Sequence, residues 1–295
     1  MARIGLVGVG RMGTPICANL VGAGHPVVAF DILPERERAV VSAGAQWRAS
    51  AAEAAEGADV LITVLPGPAE AAATVTDSLL GALARGATWI DMTSNSPAAA
   101  APVQERARAM GVGVLEAPVG GGPADAEAGT LRLFVGGDAE LLARHRTLLT
   151  AVAAPDRIAH AGSLGTGYTL KLLVNMLWFG QAAATAEVLL LGRGAGIDLD
   201  VLHGTLADSA ASSDFIRRDL PALFAGDYLR SFGLDHIHDQ LAVVVDLARQ
   251  LGTPHDIAET VRALHRQALE RYGPVDGELL AVALLEERTG IRLRT

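Results

Sequence analysis

Residues 4–9 form a short apolar run that leads into Gly8-Val9-Gly10-Arg11-Met12-Gly13, with a helix predicted over 12–22. After a turn at Gly24-His25, a second apolar run over 27–30 stops at Asp31, 21 residues beyond Gly10. Runs of this kind predict strands buried on both faces, as in a parallel sheet. A glycine triplet alone is weak evidence. One that follows a strand, opens a helix and is answered by an acid about 20 residues later is strong evidence for a dinucleotide-binding turn.

Each residue of that turn has a task. Gly8 allows the tight turn, Gly10 lets a pyrophosphate approach the backbone, and Gly13 lets helix and strand pack closely. The first helical amides then bind phosphate. Gly8, Val9, Gly10, Arg11 and Met12 are therefore candidate cofactor contacts. Asp31 would accept hydrogen bonds from a ribose 2′-hydroxyl and repel a 2′-phosphate, which favours NAD. Arg36 and Arg38 lie close behind and leave NADP possible.

The alternation continues. Strands are predicted over 60–65, 89–91, 112–116, 131–135 and 158–161, with helices over 51–56, 97–110 and 138–150. Pro97 suits a first helical turn and Asp138 an N-cap. This is an α/β, doubly wound sheet of the Rossmann type over residues 1–162. Ligands bind such sheets beyond the carboxyl ends of the strands. Leu65-Pro66, Thr93-Ser94 and Gly120-Gly121-Gly122 all fall there.

After residue 162 the strands stop. Helices are predicted over 168–195, 199–209, 214–223, 234–251, 254–272 and 277–289, giving an all-α carboxyl-terminal domain over 163–295. Its first helix carries Lys171, the only lysine among the 24 basic residues, with Asn175 four residues on and so on the same face. Arginine stays protonated, whereas lysine can cycle a proton. A lone lysine on an apolar helix is a candidate for proton chemistry; the alternative is a side chain snorkelling along a core helix.

Composition narrows the classes. A formal charge of −9 argues against a nucleic-acid surface, which needs a basic face. The eight histidines show no metal-ligand spacing, and His236 with His238 lacks further partners, so no metal is expected. The single Cys17 excludes an intrachain disulfide and fits a reducing cytosol. Met1 leads directly into a predicted strand, so no signal peptide is expected. The run over 170–191 approaches a membrane span, but Lys171, Asn175, Gln181 and Glu187 interrupt it, so no span is expected.

Four motifs now carry a resemblance. Gly8-x-Gly10-x-Met12-Gly13-x-Pro15, with Asn19-Leu20 and Ala23-Gly24-His25, resembles the amino-terminal signature of the β-hydroxyacid dehydrogenases. That family includes 3-hydroxyisobutyrate dehydrogenase and tartronate semialdehyde reductase. The segment Asp91-Met92-Thr93-Ser94-Asn95-Ser96-Pro97 is similar to its D-x-S-T/S-x-x-P loop, and Glu116-Ala117-Pro118-Val119-Gly120-Gly121-Gly122 to its D-A-P-V-S-G-G loop. Gly165-x-Gly167-x-x-x-Lys171-x-x-x-Asn175 matches its catalytic motif.

The resemblance implies an NAD(P)-dependent oxidoreductase with a 6-phosphogluconate-dehydrogenase-like helical domain. It also implies a cleft between the two domains and a homodimer or homotetramer built through the helices. Lys171 would be the general acid/base and Asn175 its orienting partner. Thr93, Ser94, Gly120, Gly121 and Gly122 would hold a small-molecule substrate. Leu65, Pro66, Ser94 and His238 would join the cofactor contacts.

Two positions depart from the pattern. Gly120 stands where the family has serine, which removes a hydroxyl donor; His238 stands where it has lysine. His238 could donate a hydrogen bond, carry charge at lower pH, or be a plain surface residue. Tyr168, one turn before Lys171, could supply the missing contact or pack in the core. These changes suggest a substrate other than the family's usual 3-hydroxy acid.

The expected reaction is hydride transfer between nicotinamide and an alcohol carbon, with Lys171 moving the proton; burial and the cationic ring would draw its pKa toward neutrality. Two other readings share the fold. Imine reduction is one, although the imine-reducing relatives commonly carry Asp or Tyr at the lysine position. A non-catalytic dinucleotide-binding sensor is the other, although such relatives typically replace the lysine.

Overall fold

The computed structural model describes residues 1–294, in two compact units that divide after Lys171. In the first unit the strands are β1 (Ile4–Val7), β2 (Val27–Phe30), β3 (Gln46–Trp47), β4 (Val60–Thr63), β5 (Thr88–Asp91) and β6 (Gly113–Glu116), followed by β7 (Val119–Gly120), β8 (Leu131–Gly137) and β9 (Ala153–Gly162). They form one sheet in the order β3-β2-β1-β4-β5-β6-β8-β7, with β9 alongside β8. From β3 to β6 every pairing is parallel. Strand β8 runs antiparallel to β6 and β7, and β9 parallel to β8. The sheet is thus mostly parallel. The order reverses at β1, whose neighbours are β2 and β4, and the crevice at such a reversal is where ligands enter doubly wound sheets.

The apolar runs form these strands because both faces of the sheet are covered. Neighbouring residues feed opposite cores. Leu6, Ile62, Ile90 and Leu115 belong to one cluster, and Val7, Leu61, Trp89 and Val114 to the other. Side chains alternate across a strand, so an uninterrupted apolar run is what two covered faces demand. The polar residues at the strand ends Thr63, Asp91 and Glu116 are nevertheless buried, at 0% exposure each. They are register neighbours across β4, β5 and β6, and their partners are described below.

The first-unit helices follow the predictions closely, at Gly13–Gly22, Ala51–Ala55, Pro97–Ala109 and Ala139–Leu149. Asp138 caps the last of these, accepting from the Leu141 amide at 2.8 Å. Short helices at Glu37–Ser42, Pro68–Thr74, Asp77–Ala82 and Pro123–Glu127 were not foreseen.

A helix over Thr166–Gly194 begins in the first unit and continues into the second. The change from strands to helices falls after Gly162, yet the compact units part only at Lys171. The remainder of the second unit is helical: Leu199–Ala207, a π-helical turn Phe215–Asp219 running into Leu220–Phe224, then Leu234–Leu251, Asp256–Tyr272 and Leu280–Thr289. One regular helix is predicted over 214–223; the structure breaks it, because Pro221 has no amide to donate to the turn before it.

The Thr166–Gly194 helix is long and apolar enough to cross a membrane by length and composition alone, a test that core helices also pass. One stripe of it is a core stripe. Phe179 packs with Leu234, Ile237, Leu241 and Val261, and Ala182, Ala186, Leu189 and Leu190 pack with Leu199, Leu220 and Leu223.

Candidate active site

Three glycines of the first turn are glycine for different reasons. Gly8 has φ +94°, and a Cβ there would stand 2.2 Å from the Val64 carbonyl oxygen. A Cβ on Gly13 would stand 2.0 Å from the Gly8 oxygen. The fold itself excludes side chains at both. A Cβ on Gly10 would meet nothing within 4 Å. Folding does not require glycine there; the space is a cradle beside the start of the Gly13–Gly22 helix. Met12 gives that helix no side-chain cap, so its first amides suit an anion. Asp31 closes the turn: Oδ2 accepts from the Val9 amide at 2.8 Å and Oδ1 from the Leu33 amide at 3.0 Å. The pattern fits a dinucleotide.

The ends of β4 and β5 are tied together. Thr93 is 1% exposed, and its Oγ1 accepts from the Leu65 amide at 3.1 Å. The side chain of Thr93, expected among the substrate contacts, is thus enclosed, with its oxygen engaged by the loop after β4. Ser94 next to it is half-buried, as are Leu65 and Gly122, while Pro66 and Gly121 are exposed.

Asp91, at the end of β5, gathers four donors. Thr63 Oγ1 lies at 2.7 Å and the Thr93 amide at 3.0 Å from Oδ1; Asn95 Nδ2 lies at 3.2 Å and the Tyr168 hydroxyl at 2.6 Å from Oδ2. Trp89 Nε1 in turn donates to Thr63 Oγ1 at 2.8 Å. Tyr168, expected either to touch substrate or to pack in the core, is fully buried, and its hydroxyl donates to Asp91. Burial, with the Asp91 and Glu116 charges behind it, pushes the Tyr168 phenol well above its usual range, so it stays a donor.

Glu116, at the end of β6, receives the start of the long helix. Oε1 accepts from the Gly165 amide at 2.5 Å and from Gln104 Nε2 at 2.8 Å. Oε2 accepts from the Gly167 and Tyr168 amides at 3.1 and 3.3 Å. These are amides that an α-helix cannot satisfy internally, and a carboxylate there complements the helix dipole. Burial pushes the Glu116 carboxyl up, while Gln104 and the three amides oppose the shift.

Lys171 lies within two turns of that start and is half-buried. Farther along the same helix, Asn175 Nδ2 donates to Gln240 Oε1 at 2.7 Å. His238 lies on the Leu234–Leu251 helix with Gln240, its ring 3.4 Å from Asp239. His236 stacks on Phe232. Among the described residues no group of three or more His, Cys, Asp or Glu could hold a metal. At Gly120, a Cβ would stand 3.0 Å from the Phe134 ring, so this ring occupies the room a serine would need.

Sequence reasoning did not single out Asp91, Gln104, Glu116 or Gln240 as site residues. The only signal was a carboxylate at the end of each of two apolar strands, a costly place for a charge without partners.

Two family models span most of the chain. Residues 3–164 match the NAD binding domain of 6-phosphogluconate dehydrogenase, and residues 165–285 match the NAD-binding region of NADP-dependent 3-hydroxyisobutyrate dehydrogenase. The chain is 40% identical to a 3-hydroxyisobutyrate dehydrogenase of Pseudomonas aeruginosa over 72% of each chain. It is 31% identical to the 3-sulfolactaldehyde reductase of Escherichia coli over 91% of its own length and 90% of the relative's. Among solved structures, a Mycobacterium tuberculosis 3-hydroxyisobutyrate dehydrogenase with L-serine superposes with a TM-score of 0.86 at 29% identity, covering 96% of this chain and 99% of the other.

Proposed function

This chain belongs to the β-hydroxyacid dehydrogenase family and is an NAD(P)-dependent oxidoreductase acting on small hydroxy acids, and from that premise we propose that Lys171 is its general acid/base and Asn175 its orienting partner. One observation carries the assignment: the only lysine of the chain sits half-buried in the opening turns of a helix whose start is held at the strand ends. The bound nicotinamide supplies the hydride donor or acceptor. Lys171 Nζ gives a proton to the substrate oxygen in reduction and takes it back in oxidation. Asn175, held by Gln240, steadies that oxygen or the lysine. Ser94 and the Gly121 amide hold the substrate's anionic end, beside Gly122, whose own amide donates to Asp125 Oδ2 at 3.0 Å. Gly120 adds no hydroxyl to this group, which favours substrates whose anion is satisfied by backbone amides. Names of relatives point to carboxylate or sulfonate handles, as in 3-hydroxyisobutyrate and 3-sulfolactaldehyde.

Gly8, Val9, Gly10, Arg11 and Met12 form the phosphate site, with Leu65 and Pro66 beside it. Asp31 selects NAD over NADP. His238 is a further cofactor contact, donating a hydrogen bond where the family has a lysine. The chain works as a homodimer or homotetramer in the cytoplasm. Support for assembly comes from Leu173, Val174, Leu177, Val188 and Leu191, which line the exposed side of the long helix. Support for the compartment comes from one free, buried cysteine.

The test is Lys171→Ala, assayed with NAD against a panel of hydroxy acids and their sulfonate and phosphonate analogues. NADH affinity should match wild type while kcat falls by orders of magnitude. A variant that keeps the wild-type rate overturns the lysine mechanism. Turnover of imines and of no alcohol would favour the imine-reducing reading instead.

A further inference from the structure

We propose that Tyr168 and Glu116 are positioning residues: together they fix the first turn of the Thr166–Gly194 helix to the ends of β5 and β6 and thereby set the place of Lys171. The inference rests on the lysine mechanism above and goes one step behind it.

A helix start is ordinarily a loose end. Its first amides lack internal partners, and its first turn frays. This one is also glycine-rich, with Gly165 at φ +94°. Left alone, it would hold a long lysine side chain poorly. Three features oppose that looseness.

First, three opening amides, those of Gly165, Gly167 and Tyr168, converge on the single Glu116 carboxylate. Second, the helix backbone lies directly on β8. A Cβ on Gly167 would stand 2.6 Å from both the Gly136 nitrogen and the Phe134 oxygen, and one on Gly136 would stand 2.5 Å from Glu116 Oε2. Third, the Tyr168 hydroxyl reaches Asp91 at 2.6 Å, 77 residues away in sequence.

The third contact is one of four to Asp91. Thr63, the Thr93 amide and Asn95 leave that carboxylate with three donors when the hydroxyl is removed, at least one on each oxygen. A phenylalanine would fill the same apolar volume. What the hydroxyl adds is location: it fixes the helix against rotation at a residue one turn before Lys171 and on nearly the same face. Glu116 fixes translation along the helix axis. A proton donor displaced by about 1 Å can cost on the order of a hundredfold in rate, so a lock of this kind has kinetic content.

The experiment compares Tyr168→Phe and Glu116→Gln with Lys171→Ala and with a matched control, Tyr228→Phe. The control also removes a buried-carboxylate hydrogen bond, that from Tyr228 to Glu286, but in the helical unit. Each protein is measured for melting temperature, NADH affinity by fluorescence, kcat and KM, and the primary isotope effect with 4-deuterated NADH. Tyr168→Phe and Glu116→Gln should each lower kcat by about tenfold or more, with NADH affinity within about twofold of wild type and a larger isotope effect on kcat. Tyr228→Phe should lower the melting temperature and leave kcat and the isotope effect alone. A structural role alone would move the melting temperatures of all three and none of the kinetic readouts.

If Lys171→Ala is inactive and Tyr168→Phe turns over at the wild-type rate, the positioning inference falls and the lysine mechanism stands. If Lys171→Ala is fully active, the lysine mechanism falls and takes the inference with it. Should Tyr168→Phe not fold, Glu116→Gln decides by the same comparison, and an unchanged kcat there overturns the proposal.

Discussion

The Asp31 carboxylate accepts a hydrogen bond from the Val9 amide at 2.8 Å, which fastens the acid at the end of β2 to the glycine turn after β1. The same side chain therefore shapes the turn and presents charge to whatever occupies it. Wild-type enzyme should use NADH with higher kcat/KM than NADPH. Asp31→Asn keeps an acceptor for Val9 and removes the charge that repels a 2′-phosphate. It should shift the NADPH-to-NADH ratio upward by roughly tenfold, the rate equivalent of about 1.4 kcal/mol. Steady-state kinetics with both cofactors check this; equal or better use of NADPH by the wild type would remove the assigned role of Asp31.

Gly10 and Gly13 should separate folding from binding. Gly13→Ala drives a methyl into the Gly8 oxygen, 2.0 Å from where its Cβ would be, and should destabilise the fold by about 3 kcal/mol or more. Gly10→Ala meets open space, so its melting temperature should match wild type. Its methyl would stand where the phosphates go, and NADH affinity should fall at least about tenfold. Thermal melts paired with fluorescence titration give both numbers, and a Gly10→Ala protein that binds NADH normally would show that the cradle holds something else.

His265 predicts an acid-side loss of stability. It is 1% exposed, shares a hydrogen bond with the Val261 carbonyl, and packs edge-on to Phe179. Burial, with His238 adding repulsion, draws its pKa from 6.5 to about 4. A histidine depressed in the folded state is neutral there, while the unfolded chain takes up the proton first. Its contribution is thus present above about pH 6.5 and is lost as pH falls toward 4, in total on the order of 3 kcal/mol. Urea unfolding between pH 7 and 4.5 should show a shallower pH slope for His265→Phe than for wild type; identical slopes would refute a buried neutral histidine.

The exposed face of the long helix carries Leu173 at 46%, Leu177 at 60%, Val188 at 48% and Leu191 at 77% exposure. At helical spacing these residues fall on one stripe. Each large apolar side chain withdrawn from water is worth about 1.5–3 kcal/mol, enough for such a stripe to hold two helices together. Leu177→Glu with Leu191→Glu should turn a larger species into monomer by light scattering. A monomeric wild type would contradict the assembly.

Much of this was legible in the sequence, for reasons that differ by residue. Leu6 and Val7 are both apolar because they feed opposite cores, and that makes a parallel strand readable from one chain. Gly8, Gly10 and Asp31 could be read because their spacing is set by one turn and one helix. Strands β3 and β7 have two residues each and carry no pattern to read. Tyr168 was ambiguous because its partner Asp91 is 77 residues distant, and the Gln240 that holds Asn175 is 65 distant. Nothing local marks such pairs. The bond from the Leu65 amide to Thr93 was equally hidden, because it joins the ends of two strands 28 residues apart.

The chain of bonds that ends at Tyr168 begins at an indole. Trp89 donates to Thr63, Thr63 to Asp91, and Asp91 receives the tyrosine. Trp89 is one of three tryptophans and is wholly enclosed. The anchor of the lysine-bearing helix thus contains its own chromophore: a shift of that helix start alters the field around a buried dye, and the enzyme's ultraviolet emission becomes a gauge of how firmly its helix is seated.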